Sequence, residues 1–454
     1  MNVNVNLKVN LPEQVRMILS TLNLAGFEAY AVGGCVRDSL IGEEPGDWDI
    51  TTSAKPQEVK KLFRRTVDTG IQHGTVTVLM PKMSTRQSAG TSKKEGKPGF
   101  NGYEVTTFRI DGEYLDGRHP KEVIFTPSLH EDLARRDFTI NAMAVGLDGQ
   151  IIDDFGGLED LEGSVIRAVG DPIKRFTEDA LRMLRAIRFA ARLGFRIEEN
   201  TYNAIRTLAP NLQKISKERI EAELTKLLLS DHPENMQLVF NTGLALYIAK
   251  DFYGILTAYR DPAILPEEMH EKEMDIRLTG GLPKDKGIVW GTFLRTVPSK
   301  SKTILRELKA DNLTMKTAEA IAGLFHEVLP SDDYQLRKAL SLNGYQVYGT
   351  YLSAAHLIIE GFACDDAMKT ERASKISALQ SNMEALQKAE VPLTIAELSF
   401  NGEDLQTLGI KKGPIYGKIL GYLLDQVLMD PSLNNHEKLL ELVRRYTTAS
   451  HFMV

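Results

Sequence analysis

The hydrophobic pattern changes its period near residue 171, and that change commits the chain to two kinds of architecture in succession. Before it, the run Ala29–Val32, residues 74–80 (GTVTVLM) and residues 103–109 (YEVTTFR) have the β-branched composition of strands, and residues 47–51 (DWDIT) alternate with period two. Residues 12–26 (PEQVRMILSTLNLAG) space their apolar side chains helically and end at Gly26, a residue suited to closing a helix. After residue 171 helical periodicity takes over. Residues 177–193 (TEDALRMLRAIRFAARL) predict one amphipathic helix with Thr177 as its N-cap, Glu178 and Asp179 in its first turn, and Gly194 as its stop. Another helix begins at Ser216 and runs to 229, and the rest reads as helical, with punctuation near Pro262, Pro266, Gly280-Gly281 and Pro330. The expected fold class is α+β: a head with a small mixed sheet and helices, followed by an all-helical neck, body and tail.

Composition sets limits. With 454 residues, 43% hydrophobic and 26% charged, the chain can build several ordinary globular cores. Two cysteines, Cys35 and Cys364, exclude a disulfide framework and a cysteine-rich zinc module, and suit a reducing cytosol. A cytoplasmic location is expected. The N-terminal MNVNVNLKVN has no basic start and no apolar core, so no signal peptide is expected, and no apolar run approaches membrane-spanning length. The net charge of −6 provides no overall basic surface for nucleic acid, although a basic stripe on an acidic protein remains compatible with it.

The chemistry-bearing residues begin with Asp47 and Asp49. On a strand, side chains two apart share a face, so these carboxylates would project together. Adjacent carboxylates repel unless a cation lies between them, which makes the pair a candidate magnesium site, with Glu104 on a neighbouring strand as a further oxygen ligand. Alone, such a pair equally describes a solvated strand edge or a turn. Just upstream lie Gly33 and Gly34, followed by Val36-Arg37-Asp38. A Gly-Gly turn lets backbone N–H groups approach a triphosphate, and Arg37 can present a charged fork to it.

These segments, GGCVRD and GDWDITTSAKPQEV, resemble the head of the class II tRNA nucleotidyltransferases and the bacterial poly(A) polymerases. Residues 135–142 (RRDFTINA) look like the same family's second motif, and Gly170-Asp171-Pro172 through Phe176 is similar to its hinge motif. The resemblance implies a polymerase-β-like head carrying the D-x-D metal site, and Arg136 on nucleotide phosphate with Asp137 and Asn141 in the same motif. It implies Mg²⁺ as cofactor, CTP and ATP as substrates and tRNA as partner. No membrane and no protein partner are implied. The organisation it suggests is a head over 1–170, a base-selecting neck over 171–235, a helical body over 236–330 and a tRNA-binding tail over 331–454.

Glu178-Asp179-x-x-Arg182 resembles the family's protein template for CTP and ATP. Residues three apart share a helix face; Asp only accepts and Arg only donates hydrogen bonds. Cytosine and adenine each offer an amino donor beside a ring-nitrogen acceptor, whereas uracil and guanine offer a carbonyl beside an N–H. An Asp/Arg pair therefore suits C and A. Arg185 and Arg188 follow at the same spacing, and the matching family arginines help to hold the nucleotide; a surface charge is the alternative for Arg188.

Residues 112–120 (GEYLDGRHP) look like the flexible loop of full CCA-adding members, and residues 70–78 (GIQHGTVTV) also look like that branch. The expected activity is CCA addition, with an A-adding enzyme or a poly(A) polymerase as alternatives. Residues 81–102 read as a mobile surface loop between paired strands. Many relatives carry a His-Asp phosphohydrolase module after the neck; residues 289–294 (VWGTFL) occupy the comparable stretch, the chain has no His-Asp dipeptide, and His326 reads as structural. The body is thus expected to be a degenerate HD-like region with no hydrolase activity. Residues 408–417 resemble the family's tail, where Lys411, Lys412 and Lys418 are candidate contacts for tRNA phosphates.

Overall fold

A computed structural model describes residues 8–82, 99–111, 123–255, 283–361 and 366–449. The chain forms two compact units, Met1–Phe252 and Tyr253–Val454.

The first unit is built on a seven-stranded sheet. Helix α1 (Glu13–Leu24) turns Val15, Ile18, Leu19 and Leu22 inward, and burying each contributes about 1.5–3 kcal/mol. It closes through Gly26 at φ +87°, a conformation in which a side chain would be strained, while the Phe27 N–H reaches back to the Leu22 carbonyl at 3.1 Å. β1 (Ala29–Val32) follows, at the bounds the sequence predicts. After α2 (Gly34–Leu40) come β2 (Ile50–Thr52), α3 (Pro56–Leu62), β3 (Thr66–Gly70), β4 (Thr75–Pro81) and β5 (Phe100–Thr107).

β1 lies antiparallel to β2, and β2 runs parallel to β5, with Ile50 opposite Val105. β4 pairs antiparallel with both β5 and β3. β6 (Arg109–Asp111) and β7 (Val123–Phe125) form a separate antiparallel ribbon. After α4 (Leu129–Ala134), β8 (Ala144–Val145) and β9 (Ile151–Ile152) complete the sheet in the order β3-β4-β5-β2-β1-β8-β9. The β4–β5 pair enters the expected 81–102 loop from both ends, with Pro81 opposite Phe100; residues 83–98 lie outside the described residues. The 112–120 loop also lies outside them.

Helix α5 (Gly157–Glu162) and β10 (Val165–Ile166) lead to the neck. Here the single helix expected over 177–193 is two. α6 (Pro172–Glu178) starts earlier, with Pro172 in its first turn and the Asp171 side chain accepting from the Ile173 N–H at 2.9 Å. Thr177 is therefore inside a helix and is not an N-cap; its hydroxyl donates to the Ile173 carbonyl. At Asp179 the backbone is extended (φ −140°, ψ 105°), and α7 (Leu181–Leu193) begins afresh. The break follows from a short carboxylate that competes for backbone donors: Asp179 Oδ1 accepts from the Leu181 N–H at 3.0 Å. α7 ends at Gly194 (φ 68°) as expected. A short strand that periodicity missed, β11 (Arg196–Ile197), pairs parallel with β10, and α8 (Glu199–Leu208), α9 (Lys217–Leu228) and α10 (Met236–Asn241) follow.

Helices are the regular elements of the second unit's described residues, from Lys286–Phe293 to His436–Ala449. The VWGTFL stretch lies on the buried helix Lys286–Phe293, where Trp290 is fully enclosed. Gly287 and Gly291 bring this helix against Asn312–Leu324 so closely that an added Cβ would lie 2.5 Å from Thr317 Cβ and 2.6 Å from Ile321 Cβ. His326 Nε2 donates to the Arg295 carbonyl at 2.6 Å, a structural role. Residues 333–361 bend at Gly344 (φ 77°, ψ 160°), and a separate core gathers Phe400, Leu405, Ile419, Leu423 and Val427 near the C-terminus. Among the described residues, no helix is long and apolar enough to cross a membrane.

Candidate active site

Asp47 and Asp49 lie just before β2, not within the strand as the alternation predicts. The sheet nonetheless fixes the second of them, because the Val32 N–H donates to the Asp49 carbonyl at 3.0 Å. Glu104 stands on β5, one residue before the Val105–Ile50 pair, with an exposed side chain. Desolvation raises the Asp49 carboxyl above its ordinary value; the Arg136 charge opposes this, and Glu104 and Asp47 add to the rise. Three carboxylates and one guanidinium thus share an electrostatic neighbourhood at one end of β2. They do not form a closed cage: among the described residues, no three acidic, histidine or cysteine side chains gather as a metal site. The donors are hard oxygens that repel one another, which fits a divalent cation such as Mg²⁺.

Arg136 faces this cluster. Its Nη1 donates to the Asn141 carbonyl at 3.5 Å, Asp132 lies 3.5 Å from its Nη2, and its buried Nε has no hydrogen-bond partner. Gly33 (φ +86°) permits this approach, since an added Cβ would sit 2.9 Å from Arg136 Nη1. The Gly33 N–H itself is occupied by the Met143 carbonyl.

Arg37 lies inside the fold. It is 2% exposed, with Nε and Nη2 on Asp38 Oδ1 at 2.8 and 2.7 Å and Nη1 donating to Asn141 Oδ1. An arginine so enclosed spends these donors on the fold, with Asp38 and Asn141 as its partners. Asp137 and Asn141 are also internal. Arg185 donates to Asp137 Oδ2 from Nε and Nη2 at 2.9 and 2.6 Å, and Asn141 Nδ2 donates to Asp137 Oδ1 at 3.2 Å. Burial pushes the Asp137 carboxyl up, but the Arg185 charge and hydrogen bonds, with Asn141 and Arg182, bring it down to about 2. Arg188 is buried, so the surface-charge alternative fails; its Nε donates to Glu223 Oε2 at 2.5 Å. The guanidiniums of Arg188, Arg37 and Arg185 lie 4.0, 5.1 and 5.4 Å from the Phe189 ring centre.

The break at Asp179 also removes the shared helix face expected for Asp179 and Arg182. Asp179 Oδ2 accepts from Arg219 Nη2 at 2.8 Å. Arg182 Nη1 donates to Glu178 Oε2 at 2.6 Å and to the Arg175 carbonyl at 3.0 Å, while Nη2 reaches the Arg135 carbonyl at 2.9 Å. Sequence reasoning missed the organising role of Asp132. This fully buried carboxylate accepts from Arg135, from the Thr51 hydroxyl and from the Arg109 N–H, so it ties β2 and β6 to the Arg135–Arg136 pair. Its spacing of three and four residues from those arginines was the available signal. Arg219 and Glu223 gave no such local signal, because their partners are distant in sequence: Asp179 at the break before α7, and Arg188 within α7. Lys411, Lys412 and Lys418 are exposed at and just inside the start of the helix Pro414–Met429, away from these contacts in sequence and in the other unit.

Comparison with known proteins finds matches in both units of the chain. Residues 29–167 match the family model of the poly A polymerase head domain, and residues 194–254 match one described as "Probable RNA and SrmB- binding site of polymerase A". Residues 288–443 match the model of tRNA nucleotidyltransferase domain 2, which runs across the body–tail boundary expected at 330. The CCA-adding enzyme of Leuconostoc mesenteroides subsp. mesenteroides is 37% identical over 440 residues, covering 94% of this chain and 95% of that protein. The CCA-adding enzyme of Limosilactobacillus reuteri is 38% identical over 439 residues, 96% of this chain and 97% of that protein. The crystal structure of the Bacillus stearothermophilus CCA-adding enzyme in complex with CTP superimposes with a TM-score of 0.76 at 29% identity, covering 98% of this chain and 100% of that one.

Proposed function

The chain belongs to the family of CCA-adding tRNA nucleotidyltransferases, and from that membership we propose how its residues divide the work. The reaction adds C, C and A to the tRNA 3′ end from CTP and ATP, without a nucleic-acid template and with release of pyrophosphate. The observation that carries the assignment of the chemical centre is geometric: Asp49, pinned by the Val32 N–H just before β2, stands beside Glu104 on the neighbouring β5, with Asp47 two residues before it.

Asp47 and Asp49, with Glu104 beside them, are the residues that would hold Mg²⁺; when bound, it supplies positive charge for the attacking hydroxyl and the departing pyrophosphate. The 3′-hydroxyl oxygen bonds to the α-phosphorus of the incoming nucleotide as the bond to the β-phosphate oxygen breaks. Arg136, with its unpartnered Nε, meets the phosphates. Asp179 and Arg182 read the base edge, which requires each to exchange a present partner, Arg219 and Glu178 respectively, for the base. Asp137, Asn141, Arg185, Arg188 and Arg37 hold this frame together. The four-part division into head, neck, body and tail is the working organisation, with the tail lysines as tRNA-phosphate contacts and the cytosol as the setting.

The test uses tRNA transcripts ending before CCA, after C and after CC, each with Mg²⁺ and single or mixed CTP and ATP. Addition of C, C and A, stopping there, is expected. Addition of A alone to the CC-ended transcript would make the chain an A-adding enzyme, and long A tails on any RNA would make it a poly(A) polymerase.

A further inference from the structure

The outer half of the β3–β4–β5 arm carries a feature that the chemistry above does not use. Along β5 the side chains alternate: Tyr103 and Val105 are buried, while Gly102 and Glu104 are exposed on the opposite face and Phe100 is half-buried there. Register continues that open face across the arm, with Thr77 opposite Glu104, Leu79 opposite Gly102 and Pro81 opposite Phe100. Four residues before Glu104, about 13 Å along the strand, the Arg65 guanidinium lies over the Phe100 ring at 4.4 Å. Gly102 lies between them and leaves the floor low; a Cβ there would meet Thr77 Cγ2 at 2.9 Å.

Charge marks the same end of the arm. Lys61, Arg64 and Arg65 are exposed, and among the described residues Arg64 and Arg65 have no acidic partner, whereas Lys60 is neutralised by Asp68 at 2.9 Å. An aromatic ring capped by a flat cation and flanked by unpaired positive charge is the chemistry that binds single-stranded RNA, by base stacking and phosphate attraction. Its place on the Glu104 face selects which part of an RNA it meets.

We propose that Phe100 and Arg65 form a stacking platform for the unpaired 3′-terminal bases of the RNA substrate, just upstream of the nucleotide whose hydroxyl reacts. This rests on the assignment of Asp47, Asp49 and Glu104 as the chemical centre. Arg64 and Lys61 attract the phosphates of the same strand. The platform acts on the RNA and leaves the incoming nucleotide alone.

The experiment places 2-aminopurine at the unpaired 3′-terminal base of a tRNA minihelix and measures its quenching on binding to the full chain, together with KM values for RNA and for CTP. Phe100→Ala and Arg65→Ala are expected to abolish most of the quenching and to raise the RNA KM about tenfold, with the CTP KM unchanged. Phe100→Trp should restore both. An unchanged CTP KM also reports an intact fold. If Phe100→Ala leaves quenching and the RNA KM unaltered, or raises the CTP KM instead, the platform does not exist. Asp49→Asn separates the two assignments: it should abolish addition while keeping the quenching, so an active Asp49→Asn variant overturns the chemical centre, and the quenching still decides the platform.

Discussion

Two sets of charges in the first unit are treated in opposite ways. At the end of β2, Asp49 stands with Glu104 and Asp47, and its carboxyl is pushed up. At the junction of α7 with the head, Asp137 is more deeply enclosed, yet Arg185 and Asn141 hold it down to about 2. In the proposed function the first set would gain its missing charge from a bound cation; the second satisfies itself. Residues kept under-compensated at a surface cost some stability and provide function, whereas compensated ones fix the geometry around them.

The sharpest way to break this comparison is to neutralise one member of each set. Asp49→Asn should lower the rate of C addition by a thousandfold or more, on the order of a lost transition-state contact to the metal. Its Tm should stay level or rise, because a crowded carboxylate is relieved. Asp137→Ala should do the reverse, lowering stability by about 3 kcal/mol, because Arg185 loses its partner. Thermal unfolding and single-turnover assays distinguish the two; matching losses of stability in both variants would dissolve the contrast.

Acid titration sharpens it further. The Asp137 carboxyl in the folded state lies below its ordinary 3.8, at about 2, so its stabilisation is complete above about pH 4 and is lost as the pH falls from about 4 to about 2. The loss should amount to about 2 kcal/mol, and Asp137→Asn should flatten that part of the curve in chemical unfolding. The smallest effect concerns selection. Asp179→Ala should reduce the preference for CTP over UTP by about tenfold, measured as a ratio of kcat/KM, and an unaltered ratio would remove Asp179 from base reading.

How much was legible in the sequence follows the same line. Strand β1, the Gly26 and Gly194 stops and the switch to helices were readable because they depend on local periodicity and backbone freedom. Family membership was readable from contiguous motifs. The break at Asp179 was not, since TEDALRMLRAIRFAARL carries an uninterrupted helical pattern and the interruption comes from a side chain capping the amide two residues on. Nor was the enclosure of Arg37, whose partner Asn141 is distant in sequence and brought near by β1 and β8. Burial of charge is decided by tertiary pairing, and one-dimensional spacing does not contain it.

The carboxylate of Asp179 has two oxygens with two employments: one closes the first turn of α7 at the Leu181 amide, and the other secures Arg219 on α9. A base that captures this group competes with the protein for it. Under the proposed base-reading role of Asp179, recognition of C or A would be coupled to how tightly the neck is fastened to itself, and a mismatched nucleotide would have to displace the same internal partners without a matching gain. Discrimination by that route would be a contest between the nucleotide and the protein's own amide and guanidinium donors.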